Sequence, residues 1–164
     1  MSPKDSNEAG GWLCALIIAL ACCTKLPETL VYHQARLLKR PVEASRGLLE
    51  AEVERAADAY GLSRKVLKAL VRVESAYNPK AVSPVGARGI AQIMPFNAKR
   101  CGLPNADHLW DPTYNLRCGA RILREELDQH GDLQRALTVY NCGKIKCAEG
   151  QRYASKVISL SKVF

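Results

Sequence analysis

From about residue 46 to its C-terminus, the chain predicts an all-α domain of short helices. Two features carry that expectation. Apolar residues recur at three- and four-residue intervals between polar starts and glycine stops, and the alternation of half-buried strands is almost absent. A third feature interrupts the pattern: a long connection rich in Pro, Gly and Ser. Long connections inside compact domains are usually functional.

The first helix reads through "GLLEAEVERAADAYG" (47–61), where Gly61 is placed to take the left-handed turn that ends a helix. Ser63 is a good N-cap for the next segment, "RKVLKALVRVE". There Val66, Leu67, Leu70 and Val71 form one face, and Lys65, Lys68 and Arg72 the other. Asn78-Pro79 stops it, because the residue before a proline avoids the helical region. The connection "SAYNPKAVSPVGARG" (75–89) follows, and "IAQIMP" and "FNAKRCG" are expected as short helices around Pro95. Asp111 caps, and Pro112 opens, a long helix running to Gly131. Asp132 caps "LQRALTVYN", and a last helix covers roughly 150–162.

With 164 residues, 48% hydrophobic and 24% charged, the composition is that of a globular protein with room for one core. The net charge of +8 suits an anionic partner. No aromatic-plus-basic pattern or zinc-finger spacing accompanies it, which disfavours nucleic acid and leaves lipid headgroups or a cell-wall polymer.

Upstream, "GWLCALIIALACC" (11–23) is too short for a comfortable membrane span and has the length of a secretory signal core. Ala19-Leu20-Ala21 has the form of a cleavage site, and Cys22 beside it resembles a lipid acceptor. The segment before it, with Lys4 against Asp5 and Glu8, lacks the usual positive bias. Residues 1–23 are therefore expected to be a signal peptide or N-terminal membrane anchor, 24–45 a linker or peripheral segment, and 46–164 the domain. The protein is expected to be exported, periplasmic or associated with the cell envelope. Seven cysteines suit an oxidising compartment. Cys101, Cys118, Cys142 and Cys147 allow three pairings, among which the sequence does not choose; Cys101 with Cys118 and Cys142 with Cys147 is one. "CGKIKC" is not a C-x-x-C pair and no histidine flanks it, so a zinc site is disfavoured.

Three polar features sit where packing alone would not put them. Glu74 falls on the apolar stripe of its helix, four residues after Leu70 and three after Val71. Gln92 lies between Ile90-Ala91 and Ile93-Met94. "VYNCG" (139–143) places an aromatic-amide pair at the end of an apolar helix. Each has an ordinary explanation: a fraying helix end, a core Gln bonded to backbone, a capping Asn.

Together they carry a resemblance. "ESAYNPKAVSPVGARGIAQIMP" (74–95), "NLRCGARIL" (115–123), "VYNCG" and "YASKV" (153–157) stand in the order and spacing of a lytic transglycosylase domain of the soluble type, similar in fold to goose-type lysozyme. The resemblance spans about residues 50–160. Ala91 replaces a common Met, Val139 a common Ala and Cys142 another Ala; the four body cysteines are additions to the pattern.

It implies an all-α lysozyme-like fold around a saccharide groove. It also implies non-hydrolytic cleavage of the MurNAc-β-1,4-GlcNAc bond of peptidoglycan, leaving 1,6-anhydromuramoyl ends. Glu74 is then the catalytic acid and base, and Ser83 positions the acid and the substrate's acetamido group. Gln92 and Met94 line the groove, Tyr140 and Asn141 close the site opposite Glu74, and Ser75 and Tyr153 are further substrate-site residues. No metal or cofactor is implied. The expected partners are glycan strands, an envelope-spanning secretion, conjugation or phage machine, and a membrane through the N-terminus, with no nucleic acid.

The residues agree with this chemistry. Most glycosidases use two carboxylates, whereas Asp107 and Asp111, the nearest acids beyond the loop, sit in a loop and at an N-cap. An apolar face and the negative end of a helix dipole would both raise the pKa of Glu74. A hydrolytic muramidase and a non-catalytic peptidoglycan-binding scaffold are the alternatives; a mere binder does not need the acid.

Overall fold

The computed structural model describes residues 45–164. The expected export segment and all of the linker but Ser45 lie outside the described residues.

Helix α1 covers residues 45–59, and Gly61 ends it at φ +60° as its position predicts. Helix α2 is Arg64–Ser75. Ser63 occupies its N-cap with an extended backbone, but its side chain makes no capping bond. The buried stripe of α2 is Val66, Leu67, Ala69, Leu70 and Val71. Leu67 and Leu70 are wholly removed from solvent, so truncating either to Ala would cost roughly 2–5 kcal/mol.

After a connection of turns come a single turn of helix, α3 (Asn97–Arg100), and a 3₁₀ segment, Ala106–Trp110. Helix α4 is Pro112–His130, α5 is Leu133–Cys142 and α6 is Ala148–Ser161. Asp111 accepts from the amides of Thr113 and Tyr114, and Asp132 from that of Arg135, so both acids cap their helices as expected. Helix α5 packs along α6 and against α4, and α6 also packs against α2. One apolar cluster runs through all of them, including Leu67, Leu109, Leu116, Leu123, Leu137 and Val157.

Two elements depart from the sequence reading. The 3₁₀ segment was not foreseen. "IAQIMP" is not a helix: Arg88 and Ile93 exchange both backbone hydrogen bonds (2.9 Å each), and the chain between them folds into a tight turn. Arg88 also bridges to Val82. Gln92 is left-handed at φ +51°, which a helix cannot accommodate. Apart from these isolated bridges, the described residues contain no strand.

The cysteines pair as Cys101–Cys118 and Cys142–Cys147. The first ties the end of α3 to α4, and the second ties the end of α5 to the N-cap of α6. Among the described residues no helix is long and apolar enough to cross a membrane.

Candidate active site

Glu74 lies in the last turn of α2, where the stripe that buries Leu70 and Val71 carries its carboxyl toward α6 rather than solvent. The group is only partly accessible. Burial raises its pKa from 4.5 to about 7, and a hydrogen bond from Tyr153 works the other way. That bond, from Tyr153 Oη to Glu74 Oε1, is 2.5 Å long. A phenol donating to a carboxyl stabilises the charged form, while a dry surrounding destabilises it. Burial is the larger of the two. Burial thus lets this carboxylic acid hold its proton up to about neutral pH.

In front of Glu74 opens a cleft of about 210 Å³, lined among others by Ser83, Gln92, Met94, Asn97, Tyr140 and Asn141. Among the described residues, Glu74 is the one acid in that lining. Asp107 is paired with Arg88 (3.2 Å) and Asp111 is spent on its helix cap, so neither supplies a second carboxylate.

The expected site residues come together unequally. Glu74, Ser83, Gln92, Met94, Tyr140 and Asn141 all line the cleft. Ser83 makes no bond to Glu74. Its Oγ accepts from the Ala87 amide at 3.0 Å, which closes the turn 83–87 and leaves the hydroxyl hydrogen free to donate. Gln92 uses its amide nitrogen on the carbonyls of Ala81 (3.1 Å) and Gly89 (2.8 Å), bracing the loop from inside. Tyr140 donates to the Ala91 carbonyl at 2.8 Å. Its phenol is held well above its usual pKa by burial and by the charge of Glu74. Tyr153 stands behind the acid and outside the cleft lining, and Ser75 donates to the Ile90 carbonyl at 2.7 Å. Neither is among the residues that line the cleft.

The sequence reading missed Asn115 and Gly119. Asn115 is fully buried. Its Oδ1 accepts from the Ala91 amide (2.8 Å), and its Nδ2 donates to the carbonyls of Arg88 (2.8 Å) and Leu109 (2.9 Å). One side chain thus ties α4 to the turn carrying Gln92 and to the 3₁₀ segment. The signal was available: like Glu74, Asn115 is a polar residue on an apolar stripe, beside Leu116, Gly119, Ile122 and Leu123. Gly119 lies under the same turn. A Cβ there would come within 2.9 Å of Ala91 Cβ and 3.0 Å of Tyr140 Oη.

The helical domain thus sets one poorly solvated carboxylic acid against an open cleft lined with amides. Residues 52–159 match the transglycosylase SLT domain family, and the chain belongs to it. It is 40% identical over 102 residues to a transglycosylase of Enterobacteria phage PRD1, which covers 60% of this chain and 37% of that protein. It is 29% identical over 131 residues to membrane-bound lytic murein transglycosylase C of Glaesserella parasuis, covering 70% of this chain and 36% of that one. The chain therefore spans little more than a third of either relative.

Among solved structures, lytic transglycosylase Slt of Pseudomonas aeruginosa, in an inactive mutant, superposes with a TM-score of 0.61 at 26% identity over 69% of this chain and 23% of that one. The soluble lytic transglycosylase of Escherichia coli gives 0.60 at 26% identity over 68% of this chain and 23% of that one. The fold is the lysozyme-like fold of those enzymes.

Proposed function

We propose that the chain cleaves the β-1,4 bond between N-acetylmuramic acid and N-acetylglucosamine in peptidoglycan without consuming water. The observation that supports this reading most is the isolation of Glu74: a carboxylic acid with its pKa raised to about 7, in a cleft that holds no other acid among the described residues. In the first step protonated Glu74 gives its proton to the glycosidic oxygen, and the C1–O bond breaks. The acetamido oxygen of the muramic acid, or its ring oxygen, shares the positive charge at C1. In the second step the C6 hydroxyl of the same sugar attacks C1, and the Glu74 carboxylate removes its proton. The acid is restored and a 1,6-anhydro ring is left.

The hydroxyl of Ser83, the amide oxygen of Gln92 and the amide of Asn141 supply the polar contacts for a neutral, N-acetylated sugar, with Met94 and the Tyr140 ring as walls. Tyr153 and Ser75 hold the acid and the turn beneath it. The site of action is the cell wall. Residues 1–23 then serve as export signal or membrane anchor and 24–45 as a linker, with residues 46–164 as the catalytic domain in the envelope. The phage relative supports a role in opening the wall for a larger machine.

Mass analysis of digested sacculi tests the reading. Muropeptides lacking a reducing end, and lighter by one water than those released by a hydrolytic muramidase, are the expected products. A dominant reducing muramic acid would make water the acceptor and the protein a lysozyme. Intact sacculi would leave a binding role.

A further inference from the structure

The segment after Asn141 is built differently from the rest of the cleft. Cys142, the last residue of α5, is bonded to Cys147, the N-cap of α6, and the two Cα atoms are 6.5 Å apart. The four residues between them, Gly143, Lys144, Ile145 and Lys146, are all exposed. They are pinned into a short projecting loop, turned by a bond from the Cys147 amide to the Ile145 carbonyl (3.1 Å). Asn141, one residue before the loop, lines the cleft. A disulfide across so few residues keeps the loop from drifting away from that rim. Lys144 is three residues from Asn141, within about 10 Å of chain.

Among the described residues, neither lysine has an ion-pair partner. Ion pairs occupy Glu50, Glu52, Glu54, Asp58, Asp107, Glu125, Glu126 and Asp128, none of which pairs with Lys144 or Lys146. The acid nearest in sequence is Glu149, exposed in the first turn of α6 and also without an ion pair among the described residues. Beyond it, Arg152 and Lys156 are exposed cations on the same helix.

Two exposed ammonium groups on a disulfide-pinned loop that follows a cleft-lining residue find no charge to pair with on the sugars, which are neutral when N-acetylated. The negative charge of peptidoglycan lies in the carboxylates of the peptide borne by the lactyl arm of each muramic acid. We propose that the disulfide-closed loop 143–146 is a subsite for this acidic stem peptide, with Lys144 and Lys146 reading its carboxylates and Ile145 covering an apolar side chain. The inference rests on the wall-cleaving reading above. It adds that the enzyme prefers strands whose peptides are present and charged.

The test uses the full chain and two forms of one preparation of sacculi: native, and with stem carboxylates amidated by carbodiimide coupling. Binding is read by co-sedimentation of the Glu74→Gln protein at low salt, and cleavage by release of soluble muropeptides. Two exposed ion pairs are together worth roughly fivefold in affinity. Amidation should weaken binding by about that factor, and Lys144→Ala/Lys146→Ala should weaken binding to native sacculi equally while leaving binding to amidated sacculi unchanged. Lys144→Arg/Lys146→Arg should restore it. Equal binding of the alanine variant and its parent to native sacculi would overturn the proposal. So would a loss that is the same on both forms. Failure of the parent reading is seen separately, as a wild-type protein that cleaves neither form.

Discussion

Tyr153 and Glu74, 79 residues apart in sequence, are joined by a 2.5 Å hydrogen bond. The contact places α6 directly behind the acid at the end of α2. It moderates what burial does to the carboxyl without cancelling it, so the Glu74 pKa stands at about 7. The rate and the stability of the protein should therefore depend on pH through the same group.

Stability comes first. Glu74 titrates near 4.5 when unperturbed and near 7 in the fold. Between those values the folded chain binds more protons than the unfolded one, so stability falls as pH rises and the loss is complete above about pH 7. The full shift corresponds to about 3 kcal/mol. Glu74→Gln keeps the shape and removes the charge. It should melt several degrees above wild type at pH 8 and close to wild type at pH 4.5, while its lytic activity is abolished. Thermal melts at the two pH values decide this; an equal difference at both would show that Glu74 is not buried at a cost.

Catalysis shows the other side of the same titration. The acid must carry its proton into the first step, so kcat/KM should fall above about pH 7. Tyr153→Phe removes the bond that favours the carboxylate, so the alkaline limb should move to higher pH while the maximal rate drops. A merely structural tyrosine would lower the rate and leave the limb where it was.

Gly119 tests whether the Tyr140 hydroxyl must stay on the Ala91 carbonyl. A methyl at position 119 meets both residues, whereas mid-helix alanine is intrinsically favoured over glycine by about 1 kcal/mol. Overpacking against Ala91 Cβ, fixed directly to the backbone, costs about 1–3 kcal/mol and offsets or exceeds that gain. Gly119→Ala should thus lower the melting temperature by at most a few degrees and cost roughly tenfold in activity through misplacement of the cleft wall. Full activity in a normally folded variant would remove Tyr140 from the argument.

The two disulfides should fail differently on reduction. Cys101–Cys118 closes 17 residues of sequence separation and Cys142–Cys147 only 5. On loop entropy the first contributes about 3 kcal/mol and the second about 2 kcal/mol. The second also ties the helix bearing Tyr140 to the helix bearing Tyr153. Cys101→Ser/Cys118→Ser should be the less stable pair variant, and Cys142→Ser/Cys147→Ser the one that loses more activity per degree of melting temperature lost. Denaturing thiol titration should find none of these four cysteines free in the oxidised protein.

What the sequence by itself determined is local. Asp111, Asp132, Gly61 and Gly131 act on their own helix ends through backbone within a turn of themselves, so their effects could be read without knowing the fold. The anomaly of Glu74 was legible for the same reason, because helical periodicity fixes which residues share a face. The tertiary structure decided the rest. "IAQIMP" has the composition of a helical turn, yet Asn115 from α4 takes the Ala91 amide and the Arg88 carbonyl, and Gln92 takes the carbonyls of Ala81 and Gly89. Those partners satisfy backbone groups that a helix would have satisfied internally, and they come from up to 27 residues away. The choice of cysteine pairs, the turn of the Tyr140 hydroxyl onto Ala91 and the meeting of Tyr153 with Glu74 are of the same kind. Each depends on which helix packs beside which, and packing is set by the whole core rather than by any one segment.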